Sequence, residues 1–443
     1  MNANVRPMKT GAELALAEAF SAAKPTLPGN GNVTQWREAA FERFATVGLP
    51  HRRVEEWKYT DLRALLRDVK PLASPPDAAA KMRAGDAGRI VGNIECRRLV
   101  VVDGTFVADL CDLADLEPGL TVGSMAQALA AGDPLVVSHL GKVVPVSDAA
   151  VEVNTALMGD GVVIRVAAGT TIDRPLHLVF AAVADKPAAM FMRSLVLVEK
   201  GARVRLVESH EGAAGGAYQV NAVLELVIGE EARVDHVKIT NEGTGALHVA
   251  SLMAAIGARA KLNDFTFTIG GSVVRNQLFL RFDGEGTVAD IRGASLLTGR
   301  QHADTTLVAD HVVGGCQTRE VFKSVLDGEA RGVFQGKIIV RPNAQKTDAK
   351  MMSRALLLSE GAEADNKPEL EIFADDVQCG HGATAGALDD ELKFYLMARG
   401  IPAKEAEALL IQAFVGEAVE VIAHEGLKNA LTDAATAWLR TRG

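Results

Sequence analysis

Between Val162 and about Phe373, apolar and polar residues alternate with the period of an extended chain, in runs such as Val204-Arg-Leu-Val and Phe265-Thr-Phe-Thr-Ile269. Almost no helical periodicity intervenes, so the region reads as strand after strand. Turn-like stretches of related composition punctuate it: Gly169-Thr-Thr-Ile, Gly201-Ala-Arg-Val, Glu231-Ala-Arg-Val, Gly257-Ala-Arg-Ala, Gly284-Glu-Gly-Thr-Val, Gly328-Glu-Ala-Arg and Gly361-Ala-Glu-Ala. Successive anchors lie 26 to 33 residues apart, apart from one 44-residue step before Gly328. Each repeat holds too few strands for a four-stranded propeller blade of about 40 residues. Coils stacked about 4.8 Å apart account better for the period. The expected fold is mainly β, a right-handed parallel β-helix (solenoid) core with an N-terminal and a C-terminal helical domain.

The flanks carry a different period. Residues 10–66 read as helical: Trp36, Ala40, Phe44 and Val47 recur at the helical spacing behind an N-cap expected at Thr34, and Thr60-Asp61 can cap the following Leu-Arg-Ala-Leu-Leu. Between them the segment from His51 to Thr60 holds Trp57 and Tyr59, which as aromatics most simply anchor a loop onto the first domain. Pro71-Leu-Ala-Ser-Pro75-Pro76 marks a linker, and Asp103-Gly104 supplies the turn of a hairpin between Arg98 and Val107. Beyond the alternating region, Asp389 caps a helix to Arg399, Gly400 suits the left-handed position after it, and Pro402 opens a second helix to about residue 422. These boundaries divide the chain into an N-terminal helical domain (1–96), a β-helix core with its preceding hairpin (97–386) and a C-terminal helical domain (387–443). The first C-terminal helix displays Phe394, Tyr395, Leu396 and Met397 in a row. Four consecutive apolar residues cannot all face one way on a helix, so part of the set is expected to meet a second surface.

Composition narrows the class. With 47 Lys+Arg against 56 Asp+Glu the 443-residue chain is mildly acidic, which argues against a nucleic-acid surface. Arg331, Lys337, Arg341, Lys346, Lys350 and Arg354 form a local basic set opposed in sequence only by Asp348, and read as a solvated face. Cys96, Cys111, Cys316 and Cys379 show no repeated spacing, which fits a reducing compartment. No secretory signal is expected, and no apolar run reaches 18 residues, so a cytoplasmic protein without a membrane span follows. P-loop, dinucleotide-binding and nucleophile-elbow patterns are absent.

The candidate chemistry sits where strand pattern gives way to helix pattern. There Asp375-Asp376 precedes Cys379-Gly-His381. Two residues apart on a strand, Cys379 and His381 share a face and offer soft ligands suited to iron, zinc or copper. Two ligands do not close a site, since a structural metal needs about four. A buried thiol and a hydrogen-bonded imidazole are the plainer reading of the pair taken alone.

Longer motifs carry a resemblance. His311-Val-Val-Gly-Gly-Cys-Gln-Thr-Arg-Glu320, Gly332-Val-Phe-Gln-Gly-Lys-Ile-Ile-Val-Arg-Pro-Asn-Ala-Gln-Lys-Thr-Asp348, Leu356-Leu-Leu-Ser-Glu360, Lys367 through Thr384 and Phe394-Tyr-Leu-Met-Ala-Arg-Gly-Ile401 together resemble the SufB/SufD family of iron–sulfur cluster assembly scaffolds, as does Glu55-Glu-Trp-Lys-Tyr-Thr-Asp61 upstream. The match is dense over about 300–422. Cys379-Gly-His381-Gly-Ala in place of a His-Glu-Ala element is closer to the SufD branch. The resemblance implies a non-catalytic scaffold that pairs with SufB, binds the ABC-type ATPase SufC through the helix bearing Phe394, Tyr395, Leu396 and Met397, and shares iron or an iron–sulfur cluster with SufB. It puts the metal role on His381 and less firmly on Cys379. Flavin involvement, and pairing with a second copy of the chain, are left open. The other classes are a structural adaptor without ligand chemistry and a carbohydrate-active β-helix enzyme, the latter typically exported.

Overall fold

A computed structural model describes residues 9–441. Its strands are β1 (Arg97–Val102), β2 (Thr105–Phe106), β3 (Leu120–Ser124), β4 (Val162–Val166), β5 (Leu176–Ala182), β6 (Ala189–Val198), β7 (Arg203–Gly212), β8 (Gln219–Ile228), β9 (Arg233–Asn241), β10 (Leu247–Ile256), β11 (Lys261–Thr268), β12 (Val273–Phe282), β13 (Val288–Leu297), β14 (His302–His311), β15 (Gln317–Leu326), β16 (Arg331–Val340), β17 (Asp348–Leu357), β18 (Glu363–Ile372) and β19 (Gln378–Gly386). From β4 onward, even-numbered strands stack in one sheet and odd-numbered strands in the other, all parallel to their stacking neighbours. Each coil therefore gives one strand to each sheet, and about eight turns make a parallel β-solenoid. Both sheets are covered over much of their length, which is why their strands hold apolar residues on both faces.

The turns explain the repeat. At most corners one residue lies in the left-handed region and a small buried residue follows: Gly201 with Ala202, Glu231 with Ala232, Arg259 with Ala260, Gly328 two before Ala330. Glycine suits the left-handed residue because it lacks the Cβ that crowds this conformation. The 44-residue step from Gly284 to Gly328 is a coil and a half, because the anchors change sides there. Gly284 precedes β13 in the odd sheet, whereas Gly328 precedes β16 in the even sheet. The skipped corner before β15 bears Gly315 with φ 70° and the fully buried Cys316, a different pair of residues in the same role.

Helices α1 (Gly11–Ala23), α2 (Asn32–Val47), α3 (Leu62–Leu65), α4 (Ala78–Ala84), α5 (Met125–Ala131), α6 (Pro134–His139) and α7 (Ala149–Leu157) precede the main stack. α2 begins beyond Gly31, not at the expected Thr34 cap, which falls within its first turn. Asp61 caps α3 as expected, its side chain accepting from Ala64 N. These helices do not plug the end of the solenoid. α2 packs on α7, and α7 lies across β6 and β8 on the outer face of the even sheet. The end is closed by backbone pairing: β2 and β3 run antiparallel to β1 and β4 at the sheet margins and stop further stacking.

Three helices follow the last coil where two were expected: α8 (Asp390–Ala398), α9 (Ala403–Val419) and α10 (Glu425–Thr441). Asp389 caps α8 by accepting from Glu391 N and Leu392 N, and Gly400 has φ 87°. Pro402 stands just outside α9, at its N-cap. α9 folds back over β13 and β15, where Ile411 and Val415 join Phe265, Phe267 and Leu296, and α10 adds Leu427, Leu431 and Trp438. Lys323 fixes the docking by donating to Phe414 O at 2.7 Å and pairing with Glu417. With α9 and α10 on the side of the stack, the last coil is left open, and no further strand pairs with β18 or β19 among the described residues.

Candidate functional site at the open coil and the polar interior

β19 places Cys379 beside Ala349 and His381 beside Met351 in the parallel register, so both side chains occupy inward-facing columns of the odd sheet. The shared face expected from their spacing is present. Cys379 is half-buried against the core, and burial pushes its thiol up, away from the thiolate that binds metals. His381 is exposed at the rim. A Cβ on Gly380 would meet open space, whereas one on Gly382 would come within 2.7 Å of the Met352 methyl carbon, so the first glycine leaves room for an approaching chain. Ile372 and Phe373 are exposed at the end of β18, 41% and 59% respectively. The turn between the strands is held by Lys346 N donating to Asp376 O and by Asp376 N donating to Gln345 Oε1.

Beside this edge, α8 packs on α9 and buries none of its own residues. Phe394, Tyr395 and Met397 are 72%, 52% and 43% exposed, and Leu396 is half-buried. The run therefore presents an apolar surface to solvent. The expected basic face, by contrast, is not a free one: Arg331 pairs with Asp365, Lys337 with Glu371, Arg341 with Asp310, Lys346 with Asp376 and Arg354 with Glu417. Apart from Glu417, which α9 brings in, these carboxylates lie about a coil away in sequence and became neighbours once the strands stacked.

Sequence reasoning missed a second polar place, inside the early coils. His236 lies between Asp264, with Nδ1 2.6 Å from Oδ1, and Glu208, with Nε2 3.4 Å from Oε2. Burial pushes the His236 imidazole down, but the hydrogen bonds and charges of the two carboxylates outweigh it and raise the group to about 9. Burial pushes Glu208 up, yet His236 and nearby cations bring it down to about 2. Lys238 donates to Asn276 Oδ1 at 2.7 Å and lies 3.0 Å from His248 Nε2. His210 stacks on Phe180 and meets His248 edge-on, with Glu242 alongside. Further along, Glu320 is fully buried with no hydrogen-bond partner on either oxygen among the described residues, and burial pushes it up to about 8.

A family model for the SufBD core domain of the SUF iron–sulfur cluster assembly system matches residues 180–414, and a model for the SufBD N-terminal region matches 28–178. The chain belongs to the SufBD family. A SufBD-family iron–sulfur cluster assembly protein of Synechocystis is 32% identical over 407 residues, covering 89% of this chain and 88% of the relative. The iron–sulfur cluster assembly protein SufD of Escherichia coli is 28% identical over 392 residues, covering 88% and 89%. SufD of Bacillus subtilis is 28% identical over 282 residues, covering 63% and 64%. This is a SufBD-family iron–sulfur cluster assembly protein homologous to SufD.

In this SufBD chain the Glu55–Asp61 motif is a clamp on the solenoid. Trp57 is buried, donates from Nε1 to Asp148 Oδ2 at 2.9 Å and lies under the Arg275 guanidinium, 3.8 Å from the ring centroid. Thr60 donates to Asp304 Oδ2, Arg275 pairs with the same carboxylate, and Lys367 reaches Glu55 at 2.7 Å. Trp57 joins the cluster of the N-terminal helices with Leu16 and Phe44, as expected of an anchor on the first domain, and it also anchors the loop on the outer face of the even sheet, which was not expected. All four cysteines are free.

Proposed function

We propose that this chain is the SufD-type scaffold subunit of a SUF assembly complex. Its open coil pairs with the corresponding coil of SufB, and His381 completes, with SufB groups, a ligand set for iron or a nascent iron–sulfur cluster. The observation that supports this best is the unpaired margin of β18 and β19, which carries an exposed imidazole at its rim. Unpaired N–H and C=O groups along such a margin are a template for another chain. Neutral imidazole suits iron, and the missing ligands must then come from across the joint. Cys379, half-buried with its thiol pushed up, is a secondary ligand at most. The apolar face of α8, with Phe394, Tyr395, Leu396 and Met397, docks the ATPase SufC. The subunit itself is non-catalytic and works in the cytoplasm, and no helix among the described residues is long and apolar enough to cross a membrane.

The test is co-expression with SufB and SufC, followed by iron and acid-labile sulfide analysis of the purified complex. His381→Ala should retain the three-protein complex and lose cluster, with Cys379→Ser doing less. Normal cluster yield from His381→Ala would reduce the open coil to an assembly margin. A homodimer of this chain that excludes SufB would redirect the reading to self-pairing.

A further inference from the structure

The interior of the early coils contains a set of donors that the polar network around it leaves unused. His210, Glu242 and His248 each offer one ligand atom, and the three atoms lie within 4.8 Å of one another. Among the described residues this is the only such group of three or more. His210 Nδ1, Glu242 Oε2 and His248 Nδ1 are all buried and hydrogen-bonded to nothing among the described residues. His248 Nδ1 and Glu242 Oε2 approach to 3.1 Å without the alignment of a hydrogen bond. Three converging lone-pair groups left unsatisfied in a dry interior are costly, and buried polar atoms are nearly always paired.

Charge points the same way. Around the trio, Glu208 and Asp264 hold protonated His236 between them, while Glu242 makes no ion pair with a lysine or arginine among the described residues and feels Lys238 only through its field. From this arrangement we infer that His210, His248 and Glu242 form a binding site for one divalent first-row transition ion of the zinc or ferrous class. Two imidazoles and a carboxylate are the donors such ions take at about 2.0–2.2 Å, which sets ligand atoms about 3.4 Å apart. His248 Nδ1 and Glu242 Oε2, at 3.1 Å, are already near that spacing, and the His210 nitrogen has to close in from no more than 4.8 Å. Phe180, stacked on His210 with centroids 4.5 Å apart, fixes one ring, and Lys238 beside His248 Nε2 fixes the other.

A surface pocket lies close to the site. A surface pocket lined by Lys186, Ala213 and Tyr218 shares Ala182 and Met190 with a smaller cavity, and that cavity is lined by His210 and Glu242. This inference concerns the interior and does not rest on the SufB pairing proposed for the open coil.

The experiment is a titration of the chelator-treated full chain with Co2+, read by visible absorption. One equivalent should bind with the intense d–d bands of a low-coordinate nitrogen and oxygen site, without a thiolate charge-transfer band, and Zn2+ should displace it. Glu242→Gln, nearly isosteric, should weaken Co2+ at least tenfold, and His248→Asn should abolish the bands, with circular dichroism as the check on folding. If His248→Asn does not fold, Glu242→Gln decides. The Cys379→Ser/His381→Ala double variant should keep the bands. Absence of binding in the wild-type chain, bands unchanged by Glu242→Gln, or bands lost with Cys379 and His381 would each overturn the site. A functional result at the open coil, in either direction, leaves this test intact.

Discussion

His236 and His381 stand in the same inward-facing column of the odd sheet, which runs Leu206, His236, Asp264, Ile291, Glu320, Met351, His381 through successive coils. Their environments are opposite. His236 has a coil on each side, and the neighbouring strands supply Asp264 and Glu208 to hold its charge. His381 has a coil on one side only and is exposed. In a solenoid the environment of a residue is set mainly by the coils directly above and below, so position along the stack decides whether an imidazole is structural or available. His236 has its charge held by this chain's own carboxylates, whereas His381 is left exposed.

The largest effect that separates the two is expected at Asp264. Removing its carboxylate leaves a buried imidazolium with Glu208 alone at 3.4 Å, and breaking a buried pair typically costs about 3–5 kcal/mol. The Asp264→Ala chain should show that loss in its urea-unfolding midpoint at about pH 6. The sign with pH follows from His236. Its folded pKa is raised to about 9, so its stabilisation is complete below the unfolded value of about 6.5 and is lost as pH rises through 9. The gap between wild type and Asp264→Ala should therefore narrow by about pH 10. A cost below about 1 kcal/mol at both pH values would mean that the column does not determine the environment as described.

Glu320 tests the same column from the opposite direction, as an interior carboxyl with no hydrogen-bond partner among the described residues. Its pKa is raised to about 8, so the fold holds the neutral acid. Folding loses stability as pH rises from the unfolded pKa of about 4.3 to about 8, and the loss then levels off. Glu320→Gln removes the ionisation, and should be more stable than wild type by on the order of a few kcal/mol at about pH 9, with little difference at about pH 4. Identical pH profiles for the two proteins would show that Glu320 is solvated or paired in solution.

How much of this was legible depends on what alternation can report. Strand content, the corner residues and the stacked architecture could be read from Gly201-Ala202 and its relatives, because corners impose backbone demands that few residues meet. The phase of the alternation could not be read. In Val234-Asp-His-Val-Lys-Ile-Thr240 the apolar Val237 and Ile239 face outward under the C-terminal helices, and His236, Lys238 and Thr240 face inward. When both faces of a strand are buried, an apolar residue marks neither as the core. The interior cluster had only a long-range signature, ionisable residues recurring about one coil apart at Glu208, His236, Lys238 and Asp264. Ion pairs such as Arg331 with Asp365 were invisible for the same reason, since 34 residues separate partners that stacking brings together. Cys379 and His381 were legible because they are adjacent on one strand and end the stack.

α8 and α9 extend the contrast to the C-terminal helices. Ile411 and Val415 of α9 are buried on the solenoid, whereas Phe394 and Met397 of α8 remain exposed. Exposed side chains contribute little to folding, so Phe394→Ser/Met397→Ser should change stability by no more than about 0.5 kcal/mol. The same double variant should fail to co-purify SufC while still pairing with SufB. Retention of SufC at unchanged affinity would leave the apolar face of α8 without its proposed role.

The smallest stability effect should fall at His381, and that is what makes the residue diagnostic. Its side chain has solvent on the side where interior imidazoles have a further coil, so truncation removes little packing and strands no buried partner. His381→Ala alone, in the isolated chain, should unfold within about 0.5 kcal/mol of wild type. The same substitution in the complex with SufB and SufC should cost most of the iron and sulfide. A residue that is silent in the isolated chain and decisive in the assembly has its partners outside this chain. If His381→Ala instead destabilises the isolated chain by about 2 kcal/mol or more, the imidazole is part of this fold's own packing, as His236 is. The distinction between interior and terminal histidines would then fail, and the metal role at the open coil would fail with it.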